Sequence, residues 1–388
     1  MPRPIAITTI PNPGRFGRDG LMQQGLTHRP LVDIRLEEMR TATGTPPFLE
    51  SISLHVRYGE FFTFVGPPHS GKTAILRAIA GFLPLSGGRV IVDAEDIGHL
   101  SPARRAVGYV FHQSALWPHL DVRAHVAFGL DLAGVGSDDM RQRTDTVLKR
   151  LGLNDVADRK PDDLTLEQRR RLALGRALAV EPKVLLLDEP LAHLDPAARK
   201  ILRLEVARLH RDLAVTTICA TRDAADALAL SDRIGVVENG RLLQVGDPEQ
   251  LYRRPASRAV AQALGPANYL PVKVVEVREI GVVVATEAGD RVPVAGIGAF
   301  RQGSSGVLVL RPETLSIIDA AMARGPSIPG TVSLRVFEGA RYLYEIDIRT
   351  GAPIRVELPA TDTAIFRVGD RVRVEVSSDT VVLLPADS

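Results

Sequence analysis

Short apolar runs alternate with longer segments of helical periodicity from about residue 31 to residue 264. The predicted strands include residues 60–65 and 183–187, and the predicted helices include residues 73–80, 167–179 and 196–213. Gly81 directly follows the first of these helices, where a glycine commonly ends a helix. This alternation predicts an α/β fold in which helices flank a sheet.

The pattern changes after Gly265 and Pro266. Valine-rich runs at 272–277, 281–285, 344–348 and 372–376 are separated by Gly-Asp and Thr-Gly turns. Such runs predict a small all-β domain, either one OB-like barrel or a pair of barrels. We therefore expect a domain at 31–264, a linker near 255–268 and an all-β domain at 265–388. Residues 1–30 are rich in Pro, Gly and Arg and show no periodicity, which predicts a mobile extension. The alternative is that translation begins at Met22 and most of this segment is not part of the protein.

A glycine-rich loop lies between the first predicted strand and the first predicted helix. It reads Gly66-Pro67-Pro68-His69-Ser70-Gly71-Lys72-Thr73 and matches G-x-x-x-x-G-K-[ST]. Backbone N–H groups of such a loop cradle phosphates, while Lys72 adds a cation and Thr73 offers a hydroxyl to Mg²⁺. The motif predicts an ATP site, in which Pro68 has no N–H to donate and His69 carries a Cβ close to the phosphates.

Two carboxylates, Asp188 and Glu189, end a predicted strand of leucines. Beside a phosphate loop, the first carboxylate is placed to hold Mg²⁺ through water and the second to polarise an attacking water. The structural alternative is an acidic strand end that caps the next helix. The phosphate loop upstream favours the catalytic interpretation.

Composition narrows the function classes further. The 388 residues are 24% charged and 45% apolar, with a net charge of +2. The sequence has no dense basic block of the kind that binds nucleic acid, so a nucleic-acid partner is not predicted. The single cysteine, Cys219, lies in an apolar run and predicts a buried thiol in a reducing compartment. No apolar stretch approaches the roughly 18 residues that span a bilayer, so any membrane attachment depends on a partner.

The order of these motifs resembles that of ABC transporter ATPases along about nine tenths of the chain. The matching segments are Gly66–Thr73, 107–111, 115–120, 171–178, 187–190 and 194–195. The resemblance implies a P-loop NTPase cassette with a helical subdomain at about 113–180. It also implies that Asp188 is the metal-side carboxylate, that Glu189 is the general base and that Asp195 communicates across a dimer. The stretch 112–120 resembles the surface that meets a permease.

Four features of that family's pattern are altered in this sequence. The Leu-Ser-Gly-Gly-Gln signature, whose N–H groups meet the γ-phosphate on the opposite subunit, is Leu164-Thr165-Leu166-Glu167-Gln168 here. Both glycines are replaced, so we expect Leu166 to crowd that phosphate. Two like charges about 4 Å apart at an effective dielectric of about 20 repel by about 4 kcal/mol, an upper bound on the effect of Glu167.

The other three differences concern single side chains. His112 occupies the position of the family's glutamine that links Mg²⁺ to the permease surface, and Gln113 follows one place later. Arg222 replaces the family's switch histidine; an arginine can hold a phosphate but has no lone pair to accept a hydrogen bond. Thr43 replaces the aromatic residue that stacks on adenine in the family.

The resemblance therefore predicts the ATP-binding subunit of a bacterial importer, peripheral on the inner face of the cell membrane, with ATP and Mg²⁺ as cofactors. Its expected partners are permease subunits, a second ATPase subunit in a homo- or heterodimer and, indirectly, a solute-binding protein. The all-β domain is most similar to the regulatory domains of the spermidine/putrescine and ferric-iron branches. The alternative is a catalytically impaired regulatory subunit that pairs with a competent paralogue, which the four replacements favour.

Overall fold

The computed structural model describes residues 32–42, 49–295, 300–322, 325–349, 351–362 and 365–386. The predicted extension at 1–30 and the predicted adenine position Thr43 lie outside these residues. Among the described helices, none is both long and apolar enough to cross a membrane.

Strands and helices alternate in the first two thirds of the chain. In chain order the elements are β1 Ile34–Arg40, β2 Ile52–Val56, β3 Phe61–Val65, α1 Lys72–Ala80, β4 Gly87–Val92, β5 Glu95–Asp96, β6 Val107–Val110, α2 Val122–Leu132, α3 Ser137–Arg150, α4 Leu166–Ala179, β7 Val184–Asp188, α5 Pro196–Leu213, β8 Thr216–Thr221, α6 Ala224–Leu230, β9 Arg233–Glu238, β10 Arg241–Gly246, α7 Pro248–Arg253 and α8 Arg258–Ala263. Single 3-10 turns occur at Pro102–Arg104, Asn154–Val156 and Pro161–Asp163.

A six-stranded sheet in the order β10-β9-β3-β8-β7-β6 forms the centre of this region. Strands β9, β3, β8, β7 and β6 pair in parallel, and every residue of β3, β7 and β8 is buried. Ligands bind at the carboxyl ends of such parallel strands. Both β3 and β7 end at this edge, which brings the predicted phosphate loop and the predicted carboxylates together.

Antiparallel strands make up the remainder of the fold. In the first region, β2-β1-β4-β5 form a second sheet that the apolar pattern alone did not predict. After residue 267 the strands are β11 Asn268–Val277, β12 Val282–Thr286, β13 Arg291–Val294, β14 Ser305–Leu310, β15 Ser316–Asp319, β16 Ser327–Phe337, β17 Arg341–Ile348, β18 Ile354–Pro359, β19 Arg371–Glu375 and β20 Val382–Pro385, with a 3-10 turn at Pro312–Thr314.

These later strands form two antiparallel sheets in the orders β13-β12-β11-β14-β20 and β15-β19-β16-β17-β18. One apolar core includes residues of both sheets, among them Val284 and Leu308 from the first and Tyr344 and Val374 from the second. The α/β cassette followed by an all-β domain confirms the predicted fold class.

The predicted linker near 255–268 contains helix α8, which the sequence pattern did not predict. Val260 and Leu264 are 0% and 1% exposed and pack in the same apolar cluster as Val236 of β9. The Arg311 guanidinium donates to the carbonyl oxygens of Gly265 and Pro266, each at 3.0 Å. This segment is therefore a packed part of the fold.

Candidate active site

The loop from Gly66 to Gly71 joins the end of β3 to the start of α1 and uses conformations that few side chains adopt. An added Cβ at Gly66 would lie 2.0 Å from the Val237 carbonyl oxygen. Gly71, at φ 107°, is the N-cap of α1. His69 also has a positive φ of 61°, and its side chain is exposed. The loop thus presents the N-terminus of α1, a favourable position for an anion.

Lys72 directs its ammonium group into this loop. Its Nζ donates to the carbonyl oxygens of Gly66 and Pro67, each at 2.8 Å, and to Ser70 Oγ at 3.1 Å. Burial lowers the pKa of Lys72 to about 8, although the carboxylates of Glu189 and Asp188 act in the opposite direction. Near pH 7 Lys72 is therefore a buried cation within the loop.

Asp188, at the end of β7, is the buried carboxylate of the site and is 2% exposed. Its Oδ1 accepts from Thr73 Oγ1 at 2.9 Å, and its Oδ2 accepts from the Tyr109 hydroxyl at 3.2 Å. Burial and the charge of Asp188 raise the pKa of the Tyr109 hydroxyl, which therefore remains a donor. The two predicted Mg²⁺ ligands, Thr73 and Asp188, are thus adjacent.

Glu189 follows Asp188 and has a left-handed backbone, with φ 50°. Its N–H donates to the carbonyl oxygen of Ala220 at 2.8 Å, which anchors it to β8. Its carboxylate pairs with Arg222, whose Nε lies 3.1 Å from Oε1. Arg222 thus stands beside the predicted base in the position predicted for a switch histidine.

The predicted signature segment, Thr165 to Gln168, forms the first turn of α4 on the protein surface. Thr165 Oγ1 accepts from the Gln168 N–H at 3.2 Å, and Gln168 Oε1 accepts from the Thr165 N–H at 3.0 Å, a complete capping box. Glu167 pairs with Arg171 at 2.7 Å. Because this cation offsets the Glu167 charge, its repulsion toward a phosphate is smaller than the upper bound from isolated charges. Leu166 is 41% exposed.

The loop that follows β6 contains the predicted permease surface and is tied to α4. The Arg176 guanidinium donates to the carbonyl oxygens of Ala115 at 2.7 Å and Ser114 at 3.3 Å, and it lies over the Trp117 ring. Beside this loop is a cavity of about 410 Å³. Its lining includes His112, Gln113, Leu116, Leu166 and His193, and no residue of the phosphate loop.

The remaining predicted residue, Asp195, is the N-cap of α5. Its carboxylate accepts from the N–H groups of Ala197 and Ala198, each at 3.0 Å. The structure therefore brings Lys72, Thr73, Asp188, Glu189 and Arg222 into one site. Among the described contacts, none joins the signature segment or Asp195 to the phosphate loop of the same chain.

Comparisons with known proteins identify the family of this chain. The ABC transporter family model matches residues 49–192, and the TOBE domain model matches residues 308–384. The spermidine/putrescine import ATP-binding protein PotA of Pseudomonas fluorescens is 37% identical, over 88% of this chain and 94% of that protein. The chain belongs to the import ATP-binding proteins of ABC transporters. It is an ABC-type transport ATPase.

Further members of the ABC family show the same relationship. The maltose/maltodextrin import ATP-binding protein MalK of Photorhabdus laumondii is 35% identical, over 92% of this chain and 94% of that protein. The solved structure of cbiO1 from Clostridium perfringens, part of an ABC transporter complex, is 28% identical with a TM-score of 0.52 and covers 57% of this chain and 90% of that one. A dimeric ATP-binding cassette in a post-hydrolysis state with ADP and Pi is 25% identical with a TM-score of 0.51 and covers 55% of this chain and 98% of that one. None of these similarities supports the alternative of a catalytically impaired subunit.

Two residues near this ABC site had no role in the sequence-based predictions. Tyr109 pairs in register with Leu186, two residues before Asp188, so the parallel register of β6 and β7 was the signal that could have placed it. Arg170 is 3% exposed, whereas Arg169 and Arg171 beside it are partly exposed. Its helical spacing from buried Leu174 and Ala177 was the signal for burial.

Proposed function

We propose that this chain is the subunit of a bacterial ABC importer that binds MgATP and couples ATP hydrolysis to solute transport through a partner permease. The observation that carries the proposal is the 2.9 Å hydrogen bond between Thr73 Oγ1 and Asp188 Oδ1. It joins the phosphate loop to the carboxylate pair, so one edge of the central sheet presents the groups that MgATP requires.

The residues at this position suit Mg²⁺. Asp188 is a buried carboxylate whose hydrogen-bond donors, Thr73 and Tyr109, are uncharged hydroxyls. Mg²⁺ is commonly bound by one or two protein oxygens together with substrate phosphates and waters. When bound, Mg²⁺ would neutralise charge on the phosphates.

Each side chain of the site then has a role in the proposed reaction. The loop N–H groups and the Lys72 ammonium hold the phosphates, with α1 directed at them. Glu189 orients the attacking water and accepts its proton. Arg222, 48% exposed beside Glu189, pairs with this base and restrains its carboxylate.

We also propose the partner surfaces. The first turn of α4, from Thr165 to Gln168, meets the nucleotide of a second ATPase subunit, with Asp195 nearby in the same interface. That subunit is either a second copy of this chain or a paralogue. The loop at 112–120 and its cavity contact the permease, which holds the chain at the inner face of the membrane. Residues 265–388 form the regulatory domain.

The experiment is ATP turnover by the chain reconstituted with its cognate permease in vesicles, with and without a second ATPase subunit. We expect phosphate release that depends on Mg²⁺ and that stops in the Lys72→Ala variant. Turnover without the second subunit supports a homodimer, and turnover only in its presence supports a heterodimer. No turnover in either arrangement would contradict the proposed function and favour an impaired regulatory subunit.

A further inference from the structure

Arg170 is a buried cation on the second turn of α4. The side chains of its neighbours reach other partners: Arg169 donates to the carbonyl oxygens of Leu164 and Asp162, and Arg171 pairs with Glu205 at 2.8 Å. Arg170 is 3% exposed and forms no ion pair among the described residues. A buried guanidinium without a direct carboxylate partner is costly for a fold, so its contacts require an explanation.

Arg170 contacts two different loops of the site. Its Nη1 donates to the carbonyl oxygen of His112 at 2.5 Å, and its Nη2 donates to the carbonyl oxygen of Ala192 at 3.1 Å. Its Nε has no hydrogen-bond partner among the described residues. Burial lowers the pKa of Arg170, and the negative charge of Glu189 acts against this shift.

The second of these contacts continues to the predicted base. The N–H of Ala192 donates to the carbonyl oxygen of Glu189 at 3.1 Å. A chain of two hydrogen bonds therefore runs from the guanidinium on α4, through Ala192, to the backbone of Glu189. Because Glu189 has a left-handed backbone, its orientation depends on support of this kind.

We propose that Arg170 is a positioning residue that transmits the position of α4 to Glu189 and His112 at the same time. The inference rests on the proposed function. The first turn of α4 meets the nucleotide of the opposite subunit, and Arg170 lies one turn further along the same helix. Contact with that nucleotide thus sets the orientation of the base in this subunit's own site.

The test compares Arg170→Gln, Arg170→Lys and the control Arg105→Gln in the full-length chain. Arg105 is a matched control because it is 5% exposed and also donates to backbone carbonyl oxygens, those of Ala78 and Ile79, but contacts neither loop. We expect Arg170→Gln to lower kcat about tenfold while the ATP Kd stays within about twofold, since Arg170 does not contact the phosphate loop. Arg170→Lys restores part of kcat because its ammonium reaches one carbonyl oxygen, and Arg105→Gln leaves kcat within about twofold.

Hydrogen exchange gives a readout that is independent of turnover. Arg170→Gln is expected to accelerate amide exchange at 111–118 and 189–195, and Arg105→Gln is not. Equal exchange and kcat in Arg170→Gln and the unaltered chain would overturn the proposal, as would equal effects on kcat and on exchange at these two segments in Arg170→Gln and Arg105→Gln. If Arg170→Gln does not fold, Arg170→Lys decides on the same two readouts. ATP binding without turnover by the unaltered chain would refute the proposed function, while the exchange readout would still test the role of Arg170.

Discussion

The ion pair between Arg222 and Glu189 gives the sharpest prediction about catalysis. Arg222 Nε lies 3.1 Å from Glu189 Oε1, and the two side chains are 48% and 12% exposed. This ion pair restrains the Glu189 carboxylate. Arg222→His replaces the cation with an imidazole that is largely neutral at pH 8. Glu189 is then released from the pair and free to accept a proton from water, so we expect kcat to rise.

The exposure of the pair sets the size of this effect. Unit charges at about 4 Å interact by about 1 kcal/mol in water and by about 4 kcal/mol at an effective dielectric of about 20. Because Arg222 is half-exposed, solvent screens the pair, and about 1 kcal/mol is the appropriate magnitude. A barrier lowered by this amount raises kcat about fivefold.

The assay is phosphate release at saturating MgATP and pH 8, with Arg222→Lys as the control that keeps the charge. We expect the control to remain near the unaltered rate and the ATP Kd of both variants to stay within about twofold. A lower kcat in Arg222→His would refute this reasoning. It would show that Arg222 stabilises charge in the transition state more than it restrains Glu189.

Three further predictions concern binding, stability and the signature segment. Because burial lowers the pKa of Lys72 to about 8, Lys72 loses its charge above this pH and the ATP Kd should rise. A Lys72→Arg variant keeps its charge, so its Kd should not rise in this way. A Kd of the unaltered chain that calorimetry finds independent of pH would contradict this. Tyr109→Phe removes a donor from buried Asp188 and should lower the free energy of unfolding by about 1–2 kcal/mol in urea, and an unchanged midpoint would exclude this role. Leu166→Gly combined with Glu167→Gly should raise kcat by opening the first turn of α4; an unchanged or lower rate would show that the native side chains do not obstruct the opposite nucleotide.

Sequence patterns located several of the regular elements to within one or two residues. Helix α5 has the predicted bounds, Pro196–Leu213, because a proline after an aspartate N-cap marks its start. Strand β7 is shifted by one residue from the predicted 183–187, so that it includes Asp188. By contrast, β11 begins at Asn268, inside the predicted linker, because the amide of Asn268 bonds to the backbone of Arg355 at 2.7 and 2.8 Å, a contact between residues far apart in sequence.

Side-chain roles that depend on packing could not be predicted in this way. Helical spacing distinguishes Arg170 from Arg169 and Arg171 as the buried arginine, but only the position of α4 against two loops shows which groups its guanidinium contacts. The ion pair between Glu167 and Arg171 was likewise not predicted, because it depends on the helix geometry that brings the two side chains together. Long-range contacts of this kind determine the electrostatics of the site, whereas local periodicity determines its scaffold.

The central claim is that the loop ending in Lys72 and Thr73 binds a nucleotide triphosphate opposite Asp188. Calorimetric titration of MgATP into the purified chain and into its Lys72→Ala variant tests this claim most directly. We expect saturable binding by the unaltered chain and a loss of at least about a hundredfold in affinity on removal of the cation. Equal affinity in the two proteins would contradict the account.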